Sequence, residues 1–202
     1  MSKRLLREFY QLKCDDRGCQ DLLTESEKKQ VSDGALIFPA KLQESDAVNG
    51  NGRIYPHDTL TREVKNYMKL VSEGRAIGEC DHPDESVINL KNASHMVNRI
   101  WWDGKSLLGT IKVLNTPSGN VLRGLYESGV KFGFSSRALG SLQEDKDKGS
   151  QIVQEDLQLI CFDAVSEPSA PGAYIMREGI ERNLNQIFTK GDRINRALNN
   201  IL

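Results

Sequence analysis

The segment Gly129-Val-Lys-Phe-Gly-Phe-Ser-Ser-Arg-Ala-Leu-Gly-Ser-Leu142 sets two adjacent serines among glycines and apolar residues. Apolar residues alternate with small or charged residues around the serine pair, and this pattern predicts a β-strand. Because side chains alternate along a strand, Ser135 and Ser136 would point to opposite faces of the sheet. One serine would then line a pocket while the other packs or forms a hydrogen bond. Strands rich in glycine and serine are common, so the segment indicates a function only together with His82 and Asp163.

The size and composition predict a folded domain without strong affinity for polyanions. The chain has 202 residues, of which 38% are hydrophobic and 27% charged, and its net charge is −1. These values predict one domain, or one domain with helical extensions, and no global attraction to nucleic acid or an anionic membrane. No apolar run approaches the ~20 residues that span a bilayer, and the N-terminus lacks the apolar core of a signal peptide. The four cysteines include no CxxC pair, which favours reduced thiols in a cytoplasmic compartment.

The segments on either side of the serine strand predict a mixture of strands and helices. Asp103-Gly104 is typical of a tight hairpin turn, and Pro39 favours the edge of a sheet. The predicted elements are, in chain order, a strand over 35–42, a helix over 58–73, a short strand over 75–79, a hairpin over 94–114, a helix beginning at Thr116-Pro117, and a strand over 152–165.

Both ends of the chain are predicted to be helical extensions of a central domain. Apolar residues at positions 5, 6, 9, 10 and 12 are compatible with one short amphipathic helix, and Thr24 followed by Glu27 is typical of a capping box. Near the other end, apolar residues recur at helical spacing. The predicted organisation is a helical extension at 1–33, a domain at 34–176 and a helical segment at 177–202.

A serine hydroxyl becomes a useful nucleophile only when a neighbouring base removes its proton, and neutral histidine suits that task. The chain has three histidines, namely His57, His82 and His95. His57 lies beside a proline at a helix start, and His95 begins a hairpin strand. His82 follows a predicted strand, in a polar loop from which a side chain can project. Each of the three is also compatible with a purely structural role.

Asp163 is the most informative acidic residue. On the predicted strand it shares a face with Leu157, Leu159 and Cys161. A carboxylate in line with core-facing residues needs a partner, because a buried unpaired charge is costly. A histidine that the carboxylate orients would satisfy this need, and so would a salt bridge to Arg137.

Metal and nucleotide chemistry are the competing interpretations. Cys80, His82 and His95 could supply zinc ligands, with Asp81 or Asp84 as a fourth. Their spacing matches no common zinc pattern, and the sequence contains no HExxH, P-loop or GxGxxG motif. The sequence therefore predicts neither a metal site nor a cofactor site.

Six short motifs occur in order within about residues 35–175. They are Asn51-Gly-Arg-Ile-Tyr-Pro56, Gly78-Glu-Cys-Asp-His-Pro83, Ala93-Ser-His95, Asn115-Thr-Pro-Ser-Gly119, Gly133-Phe-Ser-Ser-Arg-Ala-Leu-Gly-Ser141 and Phe162-Asp-Ala-Val-Ser-Glu-Pro-Ser169. As a set they are more specific than any one of them alone, and together they resemble the prohead core proteases of T-even-like tailed phages.

The resemblance implies a serine endopeptidase with an α+β fold. The related herpesvirus assemblins have a β-barrel-like, mainly antiparallel sheet wrapped by helices, and they use a Ser-His-His triad. By this resemblance, Ser135 matches the nucleophile and His82 the general base. Asp163 lies where the assemblins have their second histidine, so the chain departs from the strict pattern there. His95 is the alternative third member, and Ser136 is the alternative nucleophile.

The resemblance also implies partners and a location. The expected substrates are scaffold or core proteins, the major capsid protein and the enzyme itself, inside the immature prohead in the host cytoplasm. No nucleic-acid or membrane partner is expected, and a homo-oligomer is possible. The family preference for glutamate before the cut, with an aliphatic residue two positions earlier, predicts self-cleavage at Leu23-Thr-Glu25 and Leu142-Gln-Glu144. The alternatives are an inactive capsid-core or scaffold-binding protein of the same fold and, third, a zinc hydrolase.

Overall fold

A computed structural model describes residues 4–10, 19–83, 85–130, 132–145 and 149–166 of the chain. This part has a mixed α+β fold in which antiparallel strand pairs predominate. The strands are β1 (Arg4–Tyr10), β2 (Ile37–Glu44), β3 (Arg53–Ile54), β4 (Ile77–Glu79), β5 (Ala93–Asp103), β6 (Ser106–Val113), β7 (Gly133–Gly140), β8 (Leu142–Asp145), β9 (Ser150–Val153) and β10 (Gln158–Val165). The helices are α1 (Glu25–Ser32), α2 (His57–Ser72) and α3 (Pro117–Glu127), with short 3-10 turns at Cys19–Leu22 and Leu90–Asn92.

The first sheet has the order β1-β7-β10, and the predicted serine strand β7 is its central strand. Both neighbours run antiparallel to β7, which places Phe9 and Asp163 at the register positions on either side of Ser135. Residues directly opposite one another in a sheet share a face. The register therefore brings Asp163 and Ser135 to the same side of the sheet, although 28 positions (163 − 135) separate them in the chain.

The helix predicted within residues 5–12 was wrong, because residues 4–10 form strand β1 on the edge of β7. Pairing with β7 provides hydrogen-bond partners for the backbone N–H and C=O groups of this segment. A short isolated helix would leave more of these groups without a partner in the protein. Leu6 of this strand is fully buried in the core, so β1 belongs to the folded unit. The capping box at the start of α1 is confirmed, since Thr24 and Glu27 exchange backbone and side-chain hydrogen bonds.

The second sheet has the order β2-β6-β5-β4 and contains the predicted hairpin. Strands β5 and β6 pair antiparallel and are joined by the predicted turn, in which Gly104 has φ +57°. Strand β2 lies at the edge of the sheet, as the proline at position 39 predicted. The start of α3 is likewise confirmed, with Thr116 as the N-cap and Pro117 as the first helical residue.

The described strands form three sheets, and they do not close into the barrel that was predicted. The third sheet has the order β3-β9-β8. The first two sheets approach each other at β10 and β4, where the Cys80–Ala164 pair forms only an isolated bridge. Because one bridge does not continue a hydrogen-bonded ladder, the edge between these sheets stays open.

The predicted strand over 152–165 is two strands separated by a turn. Residues 154–157 separate β9 from β10. Within this turn, the Asp156 carboxylate accepts hydrogen bonds from the Ser141 N–H and hydroxyl at 2.8 Å each. This turn directs β9 to the third sheet and β10 to the first. The helical segment predicted at 177–202 lies outside the described residues.

A continuous hydrophobic core joins the first two sheets and α2. Phe38 of β2 packs on Phe134 of β7, with ring centroids 5.9 Å apart. Tyr67 of α2 meets Phe162 of β10 edge to face at 5.3 Å. Phe134 and Phe162 lie on the same face of the first sheet, opposite to Ser135, so these contacts pack β7 against β2 and β10 against α2. Within the described part of the chain, no helix is long and apolar enough to cross a membrane.

Replacing Gly78 of β4 with alanine is expected to destabilise the protein by about 2–3 kcal/mol. An added Cβ would overlap the carbonyl oxygen of Phe162 and the imidazole of His95, both of which are held in the core. Gly124→Ala in α3 is the matched control, because a Cβ there meets nothing within 4 Å. The control is expected to gain about 0.5–1 kcal/mol from helix propensity. Urea unfolding measures both values, and equal stabilities for the two variants would contradict the close approach at Gly78.

Candidate active site

The candidate site lies where β7, β10 and the loop after β4 meet. Ser135 of β7 and Asp163 of β10 are opposite one another in the register, and both are buried. The loop after β4 passes over this pair and supplies His82. The backbone N–H of Asp81 donates to the Ala164 carbonyl at 2.7 Å, and Asp81 has a positive φ of 63° that turns the chain back over β10.

His82 forms a hydrogen bond with each of the other two residues. Its Nε2 lies 2.5 Å from the Ser135 Oγ, and its Nδ1 lies 2.9 Å from Asp163 Oδ2. The structure therefore brings together all three residues that the sequence predicted for the site. The His82 side chain is 15% exposed and the Asp163 side chain is fully buried, so the carboxylate lies at the inner end of the row.

The carboxylate of Asp163 is held in its ionised form. Burial alone would raise the pKa of Asp163, but the His82 hydrogen bond, the Arg137 charge and the Glu79 N–H outweigh it and lower that pKa below its ordinary value. An ionised carboxylate accepts hydrogen bonds and donates none, so the Nδ1 of His82 must carry the donated proton. The Nε2 lone pair of His82 is then available to accept the proton of the Ser135 hydroxyl.

Asp163 contacts Arg137 as well as His82, so the two partners that the sequence offered as alternatives are both present. Arg137 Nη2 donates to Asp163 Oδ1 at 3.1 Å, and its Nε lies 2.9 Å from Oδ2. A second carboxylate that was not predicted from the sequence also belongs to this cluster: Glu79 Oε1 lies 2.9 Å from Arg137 Nη2. Its signal was an acidic residue at the end of strand β4, directly before the histidine loop.

The alternative nucleophile, Ser136, lies on the other face of β7. The amide nitrogen of Gln43 on β2 donates to the Ser136 Oγ at 2.9 Å, and Ser136 is buried there. The alternation predicted for the two serines is confirmed, because only Ser135 contacts His82. Ser136 instead connects the first sheet to the second.

The alternative third member, His95, forms hydrogen bonds away from His82. Its Nε2 lies 2.9 Å from the Phe162 carbonyl and its Nδ1 2.8 Å from the Ser94 hydroxyl. Burial lowers the pKa of His95 to about 4, and the hydrogen bond to Phe162 and the charge of Asp163 offset this only in part. A neutral, fully buried imidazole between β5 and β10 packs the two sheets together.

We expect His95 to make the protein less stable as the pH falls from 7 to 5, by about 2 kcal/mol. The unfolded imidazole takes up a proton near its ordinary pKa of 6.5, whereas the folded one stays neutral down to about 4. The contribution of the neutral imidazole to stability is therefore complete above pH 6.5, and it is lost as the pH falls from 6.5 towards about 4. Urea unfolding at pH 7 and pH 5 measures the loss. His95→Gln is expected to flatten this dependence, and an unchanged pH slope in that variant would contradict the assignment.

The zinc set that the sequence offered does not assemble in the described part of the chain. There, no group of three or more His, Cys, Asp or Glu side chains is arranged to hold a metal ion. His82 and His95 are engaged in the separate hydrogen bonds described above, and the Cys80 thiol lies 3.6 Å from the Ser118 carbonyl. Asp84 lies outside the described residues.

A serine hydroxyl, an imidazole and a carboxylate in one hydrogen-bonded row can carry out acyl transfer. The hydroxyl supplies the nucleophile, the imidazole accepts and returns its proton, and the carboxylate stabilises the imidazolium. The Arg137 side chain donates hydrogen bonds to Glu79, Cys161, Asp163 and Glu85, so its guanidinium is directed into the protein.

Comparisons with known proteins agree with this chemistry. The model of the family described as "Prohead core protein serine protease" matches residues 21–184. The chain is similar to the prohead core protein protease of Enterobacteria phage T4, with 33% identity over 168 residues that cover 81% of this chain and 79% of the relative. The fold is similar to that of the bacteriophage T4 capsid assembly protease, with a TM-score of 0.69 and 24% identity, over 83% of this chain and 100% of the other.

Proposed function

Because this chain belongs to the prohead core protein serine protease family, we propose that it cleaves core and capsid proteins inside the phage prohead with Ser135, His82 and Asp163 as its catalytic residues. One observation carries the assignment of roles. The Ser135 Oγ, the two His82 nitrogens and the Asp163 carboxylate form one unbroken row of hydrogen bonds. Ser135 is the nucleophile, His82 the general base and Asp163 the residue that orients His82.

Acylation begins when Ser135 Oγ attacks the scissile carbonyl carbon and its proton passes to His82 Nε2. A C–O bond forms, and the carbonyl π electrons move to the oxygen. When the tetrahedral intermediate collapses, the C–N bond breaks and His82 returns the proton to the departing amine. Water then repeats the sequence on the acyl-enzyme and releases Ser135. The ionised Asp163 stabilises the imidazolium at both steps.

Active-site labelling tests this proposal and its main rival, a catalytically inactive core-binding protein. A fluorophosphonate reacts with an activated serine, so mass mapping of the labelled wild type is expected to find the adduct on Ser135. Untreated wild type incubated with the prohead scaffold protein is expected to cleave it, as seen on a gel. Treatment with the fluorophosphonate beforehand is expected to prevent this cleavage. No adduct and no cleavage would favour the inactive protein. Cleavage that a chelator stops and the fluorophosphonate does not would favour the zinc hydrolase.

Self-cleavage is also part of the proposal, and the two predicted sites differ in how well they could enter an active site. Leu23 is buried and Glu25 is the first residue of α1, whose start is fixed by the capping box. Glu144 is exposed on β8, which lies at the edge of the third sheet. An extended edge strand resembles a bound peptide more closely than a capped helix does.

We therefore expect aged protein to be cut after Glu144 before it is cut after Glu25. Intact-mass and peptide mapping over time would detect the two fragments. Glu144→Gln is expected to remove the first cut, and Glu25→Gln is the matched control that leaves it unchanged. Early appearance of a fragment ending at Glu25 would contradict this order.

Family membership supports the remaining features of the proposal. They include a location within the immature prohead in the host cytoplasm, a preference for glutamate before the cut, and a fold related to the assemblins. The division into a protease domain at 34–176 and flanking segments stays a prediction for the C-terminal boundary, whereas β1 joins part of the segment before residue 34 to the first sheet. Size-exclusion chromatography with light scattering would show whether the enzyme is a homo-oligomer.

A further inference from the structure

A completely buried ion pair lies beneath the candidate site. Arg137 of β7 and Glu79 of β4 are both fully buried, and Arg137 Nη2 lies 2.9 Å from Glu79 Oε1. Buried ion pairs add little net stability, because losing hydration costs about as much as the pairing returns. A contribution to stability therefore does not explain this buried pair. Its hydrogen-bond contacts indicate another role.

The first set of contacts fixes the carboxylate of Asp163. Arg137 Nη2 donates to Oδ1 at 3.1 Å, and Arg137 Nε lies 2.9 Å from Oδ2. The backbone N–H of Glu79 also donates to Oδ1, at 3.1 Å. Three contacts from two strands thus hold the carboxylate, and they leave Oδ2 directed at the Nδ1 of His82.

The second set of contacts holds the loop that carries His82. Arg137 Nη1 donates to the carbonyl oxygen of Glu85 at 2.8 Å. Glu79 Oε1 accepts the N–H of Asn89 at 2.9 Å. The pair therefore anchors the loop at two points after His82, while the loop's first residues follow directly on β4. One buried pair controls both residues that activate Ser135.

The charges of the cluster also favour the reaction. Glu79 and Asp163 each contribute one negative charge and Arg137 one positive charge, so the sum is −1 beside a neutral His82. When His82 accepts the serine proton, the sum becomes zero. A site whose charge is neutralised in the reactive state stabilises that state more than the resting one.

Four other titratable groups around the cluster are neutral at the pH values at which such an enzyme would be assayed. Burial raises the pKa of Cys161 on β10, of Tyr67 on α2 and of Cys80 at the end of β4. Burial lowers the pKa of His95 on β5 to about 4. The acid limb of a pH–rate profile between pH 5 and 8 is therefore not set by these four groups.

We propose that Glu79 and Arg137 are a positioning pair that fixes the Asp163 carboxylate and the His82 loop and sets the net charge beside the imidazole. This inference rests on the proposed function. Both side chains are fully buried and so cannot contact a substrate, and their removal is expected to lower kcat and leave KM nearly unchanged. The two residues also act differently, because Arg137 holds the geometry while Glu79 contributes the excess negative charge.

Two single substitutions in the full chain separate these effects. Arg137→Lys keeps the positive charge but cannot form all of the guanidinium's bonds at once, so kcat is expected to fall about 10–100-fold with an unchanged pH profile. Glu79→Gln removes one negative charge and makes the imidazolium less favourable. The acid limb of its kcat/KM profile is therefore expected to move to lower pH, by roughly half to one unit.

The exposed pair Glu73–Arg75, 2.7 Å apart at the end of α2, is the matched control. Arg75→Lys and Glu73→Gln are expected to leave kcat, KM and the pH profile unchanged. Two results together would overturn the positioning role. The first is a loss of activity in the Glu79 and Arg137 variants that only matches their loss of folded protein, and the second is a kcat/KM profile for Glu79→Gln whose acid limb lies at the wild-type pH. Absence of a fluorophosphonate adduct on Ser135 in the wild type would instead overturn the proposed function itself.

Discussion

Replacing Ser135 with alanine is expected to lower kcat for a peptide substrate by about 10⁴–10⁶-fold. The variant loses the oxygen that lies 2.5 Å from His82 Nε2 and keeps the rest of the row. Since a cavity of one oxygen atom is small, the free energy of unfolding is expected to change by no more than about 1 kcal/mol. Peptide hydrolysis, monitored together with urea unfolding, separates the loss of chemistry from a loss of folding.

Ser136→Ala is the control, because it makes the same change one residue along the chain on the opposite face of β7. It removes the acceptor of the Gln43 hydrogen bond, so a loss of about 1 kcal/mol in stability and less than a tenfold change in kcat are expected. Activity that survives Ser135→Ala but not Ser136→Ala would move the nucleophile by one residue. It would also mean that β7 presents its other face to the substrate.

The core of this site could be predicted from the sequence because it depends on local alternation. A period of two along β7 separates Ser135 from Ser136, and the same period along β10 aligns Asp163 with buried Cys161. A buried acid must have a partner, which pointed to a histidine or an arginine. The structure contains both partners, because one carboxylate has two oxygens and can accept from each side.

What the sequence could not indicate depends on which segments meet in space. The apolar spacing within residues 5–12 is compatible with a helix, and only the edge of β7 makes this segment a strand. Glu79 becomes part of the site because β4 lies beside β10, and its place at the end of a strand does not by itself indicate that neighbour. The open edge between the sheets likewise depends on strand ends that no periodicity predicts. Long-range pairing therefore overrides local propensity at these positions.

Asp163→Asn is expected to lower kcat by about 10⁴-fold with little change in KM. The Oδ1 position accepts the N–H of Glu79 and a guanidinium N–H of Arg137, so the amide oxygen of asparagine must occupy it. The amide nitrogen then faces His82 Nδ1 and donates to it. This places the imidazole proton on Nε2, where it donates to Ser135 and cannot accept the serine proton. Steady-state kinetics of the purified variant would measure the loss.

Asp156→Asn is the matched control for this change, since Asp156 also accepts two hydrogen bonds, both from Ser141, at a turn far along the chain from His82. It is expected to lose about 1–2 kcal/mol of stability while kcat stays within a factor of two or three. A kcat for Asp163→Asn within tenfold of the wild type would mean that His82 keeps its reactive tautomer without the carboxylate. In that case Asp163 would contribute only its ion pair with Arg137, and catalysis would depend on Ser135 and His82 alone.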